Sequence, residues 1–126
     1  MHSGHKTFED VKAWQLGKKF RIDIYQISKR FPVEEKYVLT SQIRRAVISI
    51  NSNIAEGYGR YFFQENINFC RIARGSANEV LDQLYVALGE KYIRQDEFKD
   101  LYNKGRELEK ALNGYISFLQ NQKSKF

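Results

Sequence analysis

Histidine is almost missing from this sequence of 126 residues, with only His2 and His5, both inside the first five positions. Proline, methionine, tryptophan and cysteine occur once each. Each shortage excludes something. The lone Cys70 cannot build an intramolecular disulfide framework. It stands at an apolar-stripe position without a nearby histidine, so it reads as a small buried hydrophobe rather than a nucleophile. His2 and His5 read as an incidental terminal pair, and no metal site or cofactor is expected. Gly57-Tyr58-Gly59 is a lone Gly-x-Gly with no strand ahead of it, so there is no phosphate-cradling loop of the usual kinds. No apolar run approaches the roughly 18 to 20 residues of a membrane span. The opening MHSGHK lacks the apolar segment of a secretion signal, and a reducing cytoplasm is the expected location.

Catalytic signatures built on helices fail for the same reason. A ferritin-like di-iron site needs Glu-x-x-His pairs, and helical RNases of the HEPN type pair an arginine with a histidine a few residues later. No histidine follows position 5. The chain is therefore expected to be no enzyme.

What is present is helical periodicity and positive charge. The chain carries 21 Lys and Arg against 15 Asp and Glu, a net charge of +6. Pro32 marks a boundary, because the residue before a proline is pushed out of the α region. A first helix is predicted from about Phe8 to Arg30, opened by a capping box of Thr7 and Asp10. Its stripe is Ala13, Leu16, Phe20, Ile24, Ile27 and Phe31, at the three- and four-residue spacing that a bundle helix buries. A second helix places Leu39, Ile43, Val47, Ile50 and Ile54 inward and ends near Gly57 and Gly59. A third runs from about Phe63 to Ile93 on Ile67, Cys70, Ala73, Ala77, Leu81, Leu84 and Leu88, with Gly75, Ser76 and Ala77 allowing close helix approach. The fourth opens at Asp96 as N-cap and carries Phe98, Leu101, Gly105, Leu108, Leu112, Tyr115 and Leu119. Four such helices with short joints predict an all-α, antiparallel up-down-up-down four-helix bundle. The bundle is expected over residues 8–120, between a mobile N-terminus at 1–7 and a fraying tail at 121–126.

Three surface features bear on function. Val11, Trp14, Ile22 and Tyr25 fall off the core stripe of the first helix and are candidates for an oligomer interface, since large aromatics are enriched at such contacts. Residues 1 to 31 hold seven cations against three anions, so most of the net charge sits on one helix. Lys12, Lys18, Lys19, Arg21 and Lys29, with Arg44 and Arg60 added, form a candidate surface for RNA or another polyanion. The alternatives are a solvated charged face, and a scaffold whose oligomer binds a protein partner while the charge serves solubility. On the second helix Gln42, Arg45, Ser49, Asn53 and Glu56 form a polar line beside the stripe. That line reads as a structural network with partners on the third helix, Glu79 among them. Arg60 with Tyr58, Tyr61, Phe62 and Phe63 at the following joint could stack bases or seal the bundle end.

Certain strings are more specific. They are Phe31-Pro32 with Glu35, then Leu39-Thr40-Ser41-Gln42-Ile43-Arg44-Arg45-Ala46, then Asn53-Ile54-Ala55-Glu56-Gly57 with Gly59-Arg60. Phe8-Glu9-Asp10 with Trp14-Gln15, and Ala73-Arg74-Gly75-Ser76-Ala77 with Glu79, extend the pattern. Over about residues 8 to 118 the chain resembles the bacterial four-helix-bundle proteins named for 23S rRNA intervening sequences. Ile48 and Asn51 depart from that pattern, where relatives carry a small residue and a proline. The resemblance implies a left-handed bundle assembled as a ring-like homopentamer, which would give Trp14 a role. It implies no activity, because the family name reflects gene location. In architecture the chain is also similar to accessory proteins of diversity-generating retroelements, which bind nucleic acid and a reverse transcriptase through basic surfaces.

Overall fold

The computed structural model describes residues 4–125. His2 lies outside the described residues. Four helices account for most of the chain: α1 (Lys12–Ser28), α2 (Leu39–Tyr58), α3 (Phe63–Gly89) and α4 (Gln95–Ser124). Each packs on its sequence neighbour and α4 returns to α1, while the α1 and α3 backbones stay apart across the core. The result is an all-α four-helix bundle with α1 and α3 on one diagonal. Short joints force successive helices to run antiparallel.

The predicted stripes form the core. Phe20 and Ile24 from α1, Ile43, Ile50 and Ile54 from α2, Ile67, Cys70 and Leu84 from α3, and Leu108, Leu112 and Leu119 from α4 are all buried. Burial pushes the Cys70 thiol up to about 12, which keeps it protonated and unreactive at neutral pH.

The entry to α1 differs from expectation. Phe8–Asp10 is a separate 3-10 turn, and Val11 is extended (φ −73°, ψ 120°) before α1 begins at Lys12. The Asp10 carboxylate accepts backbone N–H bonds from Lys6 (2.8 Å) and Thr7 (3.1 Å). The predicted cap thus exists, but it closes a 3-10 turn. Val11 is thereby rotated out of the helical phase and is 1% exposed. Val11 therefore belongs to the core and not to an outward interface, because the helix is not continuous across residue 11.

Other boundaries shift by a few residues. The third helix stops at Gly89, and the next starts with Arg94 at its N-cap position rather than Asp96. Glu97 at N3 supplies the reason, since its carboxylate accepts the Arg94 N–H at 2.9 Å. At the far end α4 stays helical to Ser124, through the stretch expected to fray. Residues of the N-terminal segment pack as well, with the His5 ring edge-on to Tyr115 and Phe118 and its carbonyl accepting from Tyr58 Oη at 3.1 Å.

Candidate nucleic-acid interface

The bundle leaves α1 with one covered face and one open flank. Asp23, the acid within α1, is taken by Lys104 of α4 at 3.1 Å. Among the described residues, Lys12, Lys18, Lys19, Arg21 and Lys29 have no ion-pair partner. Five positive charges thus stand uncompensated over about five helical turns. At 100° per residue they separate. Arg21 shares the α2 side with Trp14 and Tyr25, Lys18 and Lys29 lie within about 20° of one another on the outer ridge, and Lys12 and Lys19 turn toward α4. Lys19 lines a shallow groove with Leu16, Phe20, Lys104 and Glu107.

The two added arginines are placed differently. Arg44 donates from Nε to Ser28 Oγ at 2.8 Å and lies 4.9 Å above the Tyr25 ring, which ties α2 to α1. Arg60 pairs with Glu56 at 2.7 Å and lies 4.9 Å from the Phe69 ring. Both guanidinium groups are held inside the protein's own contacts, and Arg60 is neutralised where it stands.

The interface candidates also separate. Trp14 is half-buried, with Phe8 edge-on at 5.2 Å and the Lys18 ammonium 5.9 Å from its ring. Tyr25 and the exposed Ile22 line a groove with Arg21, Gln26 and Ile48 between α1 and α2. The sequence pattern missed Ile48. Its exposed position on α2 makes sense only once α1 lies beside it.

The polar line of α2 faces α3. Ser49 Oγ meets Ser76 Oγ at 2.9 Å, and Asn53 Nδ2 donates to the Ser49 carbonyl at 2.8 Å and to its hydroxyl at 3.0 Å. Arg45 donates to Gln42 Oε1 and reaches Glu79 at 3.5 Å. The Arg45 and Glu79 side chains are 63% and 39% exposed, so this pair belongs to the surface class worth about 0 to 1 kcal/mol. Glu56 finds its partner in Arg60, just past the end of α2, rather than on α3.

Buried polar groups occur where the periodicity gave no warning. Asn51 enters the α1–α2 contact and donates from Nδ2 to the Trp14 carbonyl at 3.1 Å. Its Oδ1 points at Gly17, where a Cβ would sit 1.9 Å away. Asn66 donates to Tyr115 Oη at 3.2 Å, and burial pushes that phenol up to about 12. At the opposite end Tyr92 Oη donates to Glu35 Oε2 at 2.7 Å, a bond that pushes the Tyr92 hydroxyl up to about 12. These contacts hold the bundle ends and leave no reactive constellation. Among the described residues there is no group of three or more His, Cys, Asp or Glu able to hold a metal, and no helix is long and apolar enough to cross a membrane.

A family model described as 23S rRNA-intervening sequence protein matches residues 9–114. Among solved structures, a protein of unknown function from the S23 ribosomal protein family of Bacteroides thetaiotaomicron is 27% identical, with a TM-score of 0.77. The match covers 83% of this chain and 95% of that one. No curated protein matches.

Proposed function

Since the chain belongs to the family of 23S rRNA-intervening sequence proteins, we propose that it is a non-enzymatic bundle that binds RNA, or a similar polyanion, on α1. The observation that carries this reading is the concentration on α1 and its C-terminal end of Lys12, Lys18, Lys19, Arg21 and Lys29, none of which has an ion-pair partner among the described residues. Phosphates would supply the missing counter-charge, and release of condensed counterions would supply the free energy. Lys12 and Lys19, which stand away from the apolar groove, with Lys29 at the end of the helix, are the core of the proposed contact. Arg44 and Arg60 are left out of it, being engaged within the fold.

The second part of the reading is assembly. Trp14, Ile22 and Tyr25, joined by Ile48, form an aromatic and apolar strip that a single copy leaves partly wet, and we take it as the contact between copies. A left-handed bundle in a ring of five is the form that the family resemblance implies. A ring would repeat the lysines around its perimeter and so multiply a weak phosphate contact.

The test is a triple substitution, Lys12→Gln, Lys19→Gln and Lys29→Gln, titrated against a structured RNA by fluorescence anisotropy. Affinity should fall at least about tenfold near physiological salt, and the slope of log affinity on log salt should shrink by about two to three. Unchanged affinity and slope would move the polyanion site off α1, in favour of the scaffold reading with a protein partner.

A further inference from the structure

Where α2 gives way to α3, the chain reverses direction within residues 59–62. Two of these are Tyr61 and Phe62, 72% and 63% exposed, packed edge-on to each other with ring centroids 4.9 Å apart. The core does not need them there. Tyr58 and Phe63, on either side in sequence, are the aromatics that pack on the core and seal this end of the bundle. An edge-on pair leaves at least one broad face of each ring uncovered by the other, and here those faces meet solvent.

The joint that presents the pair is held firmly. Gly57 lets α3 cross close to the end of α2, since a Cβ there would sit 2.8 Å from both Asn66 Oδ1 and Phe69 Cβ. Arg60 is fixed between Glu56 and the Phe69 ring, and the Phe62 carbonyl accepts the Asn66 N–H at 3.2 Å. Rings carried on a fixed backbone lose little freedom when they bind. Cations stand on both sides. Lys123 of α4 donates to Gln64 Oε1 in the first turn of α3, and the bond from Tyr58 Oη to the His5 carbonyl brings Lys6 to the end of α2. Neither lysine has an ion-pair partner among the described residues. Of the nearby acids, Glu56 is neutralised by Arg60, while Glu65 in the first turn of α3 is not. The antiparallel course of the helices puts Lys12 at this same end.

Two rings with this exposure offer roughly 250 to 300 Å², far below the about 800 Å² that a stable protein contact covers on each side. That area suits one or two nucleobases, whose π-faces stack on aromatic side chains while phosphates seek cations. We propose that Tyr61 and Phe62 form a stacking platform for unpaired bases of an RNA strand whose phosphates are met by Lys123 and Lys6. This rests on the polyanion reading of α1 and adds to it a preference for unpaired RNA, because bases within a duplex already stack on one another and keep their faces hidden.

The test is the double substitution Tyr61→Ser and Phe62→Ser, with circular dichroism to confirm helicity. Both side chains are exposed, and Phe62→Ser places a good capping residue at the N-cap of α3. Affinity for an unstructured single-stranded RNA should fall about tenfold or more, while affinity for a fully paired RNA duplex changes by less than about twofold. The salt slope should stay as it is, since neither ring touches a phosphate. A single strand carrying 2-aminopurine should lose fluorescence on binding the wild type, as stacking quenches it, and much less on binding the variant. Tyr61→Phe should keep the wild-type affinity, because the ring face and not the hydroxyl makes the contact. A wild type that binds no RNA would overturn the polyanion reading and this site with it. A wild type that binds, but whose affinity for the single strand ignores the double substitution or falls equally for the duplex, would overturn the platform alone and leave the exposed pair to a protein contact.

Discussion

At the scale of the residue, glycine and asparagine decide how closely α1 and α2 approach. A Cβ on Gly17 would sit 1.9 Å from Asn51 Oδ1, and Asn51 cannot withdraw without giving up its bond to the Trp14 carbonyl. Gly17→Ala is therefore expected to destabilise the fold by about 1 to 3 kcal/mol, the range for overpacked contacts, measured by urea denaturation. A value near zero would show that the asparagine is free to turn away. A second expectation concerns Glu97, which accepts from Arg30 at 2.8 Å and from the Arg94 N–H at 2.9 Å. The Arg30 bond, with the backbone bond next, holds its carboxyl below the ordinary value of 4.5. A depressed carboxylate stabilises the fold above its unfolded pKa, and that contribution is lost as pH falls through the folded value. Glu97→Gln should thus be less stable than wild type at pH 7, with the difference closing below about pH 4. A difference that persists unchanged at pH 3 would assign the effect to shape rather than to charge.

At the scale of the element, periodicity located all four helices because their core stripes are long and cleanly spaced. It failed where the chain leaves helical phase or where a polar group is buried. Val11 was read as outward because nothing in the residues marks the 3-10 turn before it as separate from α1. The α4 boundary moved because Asp96 and Glu97 are both acids suited to a helix start, and only the bond to the Arg94 N–H shows which one caps. Asn51, Asn66 and the Tyr92–Glu35 pair were invisible to pattern, since their partners lie 37, 49 and 57 residues away. The polar line of α2 was legible as a line. Its energetics were not, because the exposure of Arg45 and Glu79 depends on how α2 and α3 cross. Gly75, expected to serve packing within the bundle, faces outward instead. Gly75→Ala should then raise stability by about 0.5 to 1 kcal/mol through helix propensity, since nothing lies within 4 Å of the added Cβ. Thermal melts of the two proteins check it, and a loss of stability would show that the outward face of α3 at this position is covered.

At the scale of the whole molecule, the fold uses its charges in two ways. Six cations, Arg30, Arg45, Arg60, Arg94, Lys104 and Arg106, pair with acids across or along helices. Among the described residues the other fifteen cations have no ion-pair partner, and five of them, Lys12, Lys18, Lys19, Arg21 and Lys29, are concentrated on α1 and its C-terminal end. A basic surface of this kind attracts polyanions at long range and loses that attraction in salt. Copies arranged in a ring would present several such surfaces at once, so the affinity of the assembly would exceed that of one copy without any new contact. The most direct measurement is the affinity of the purified wild-type protein for a structured RNA, a matched DNA duplex and a single strand, each titrated from low to high salt. The account predicts preference for RNA, with log affinity falling steeply and linearly against log salt. Absence of binding near physiological salt for all three would contradict it and leave the positive charge of α1 as a solvated surface.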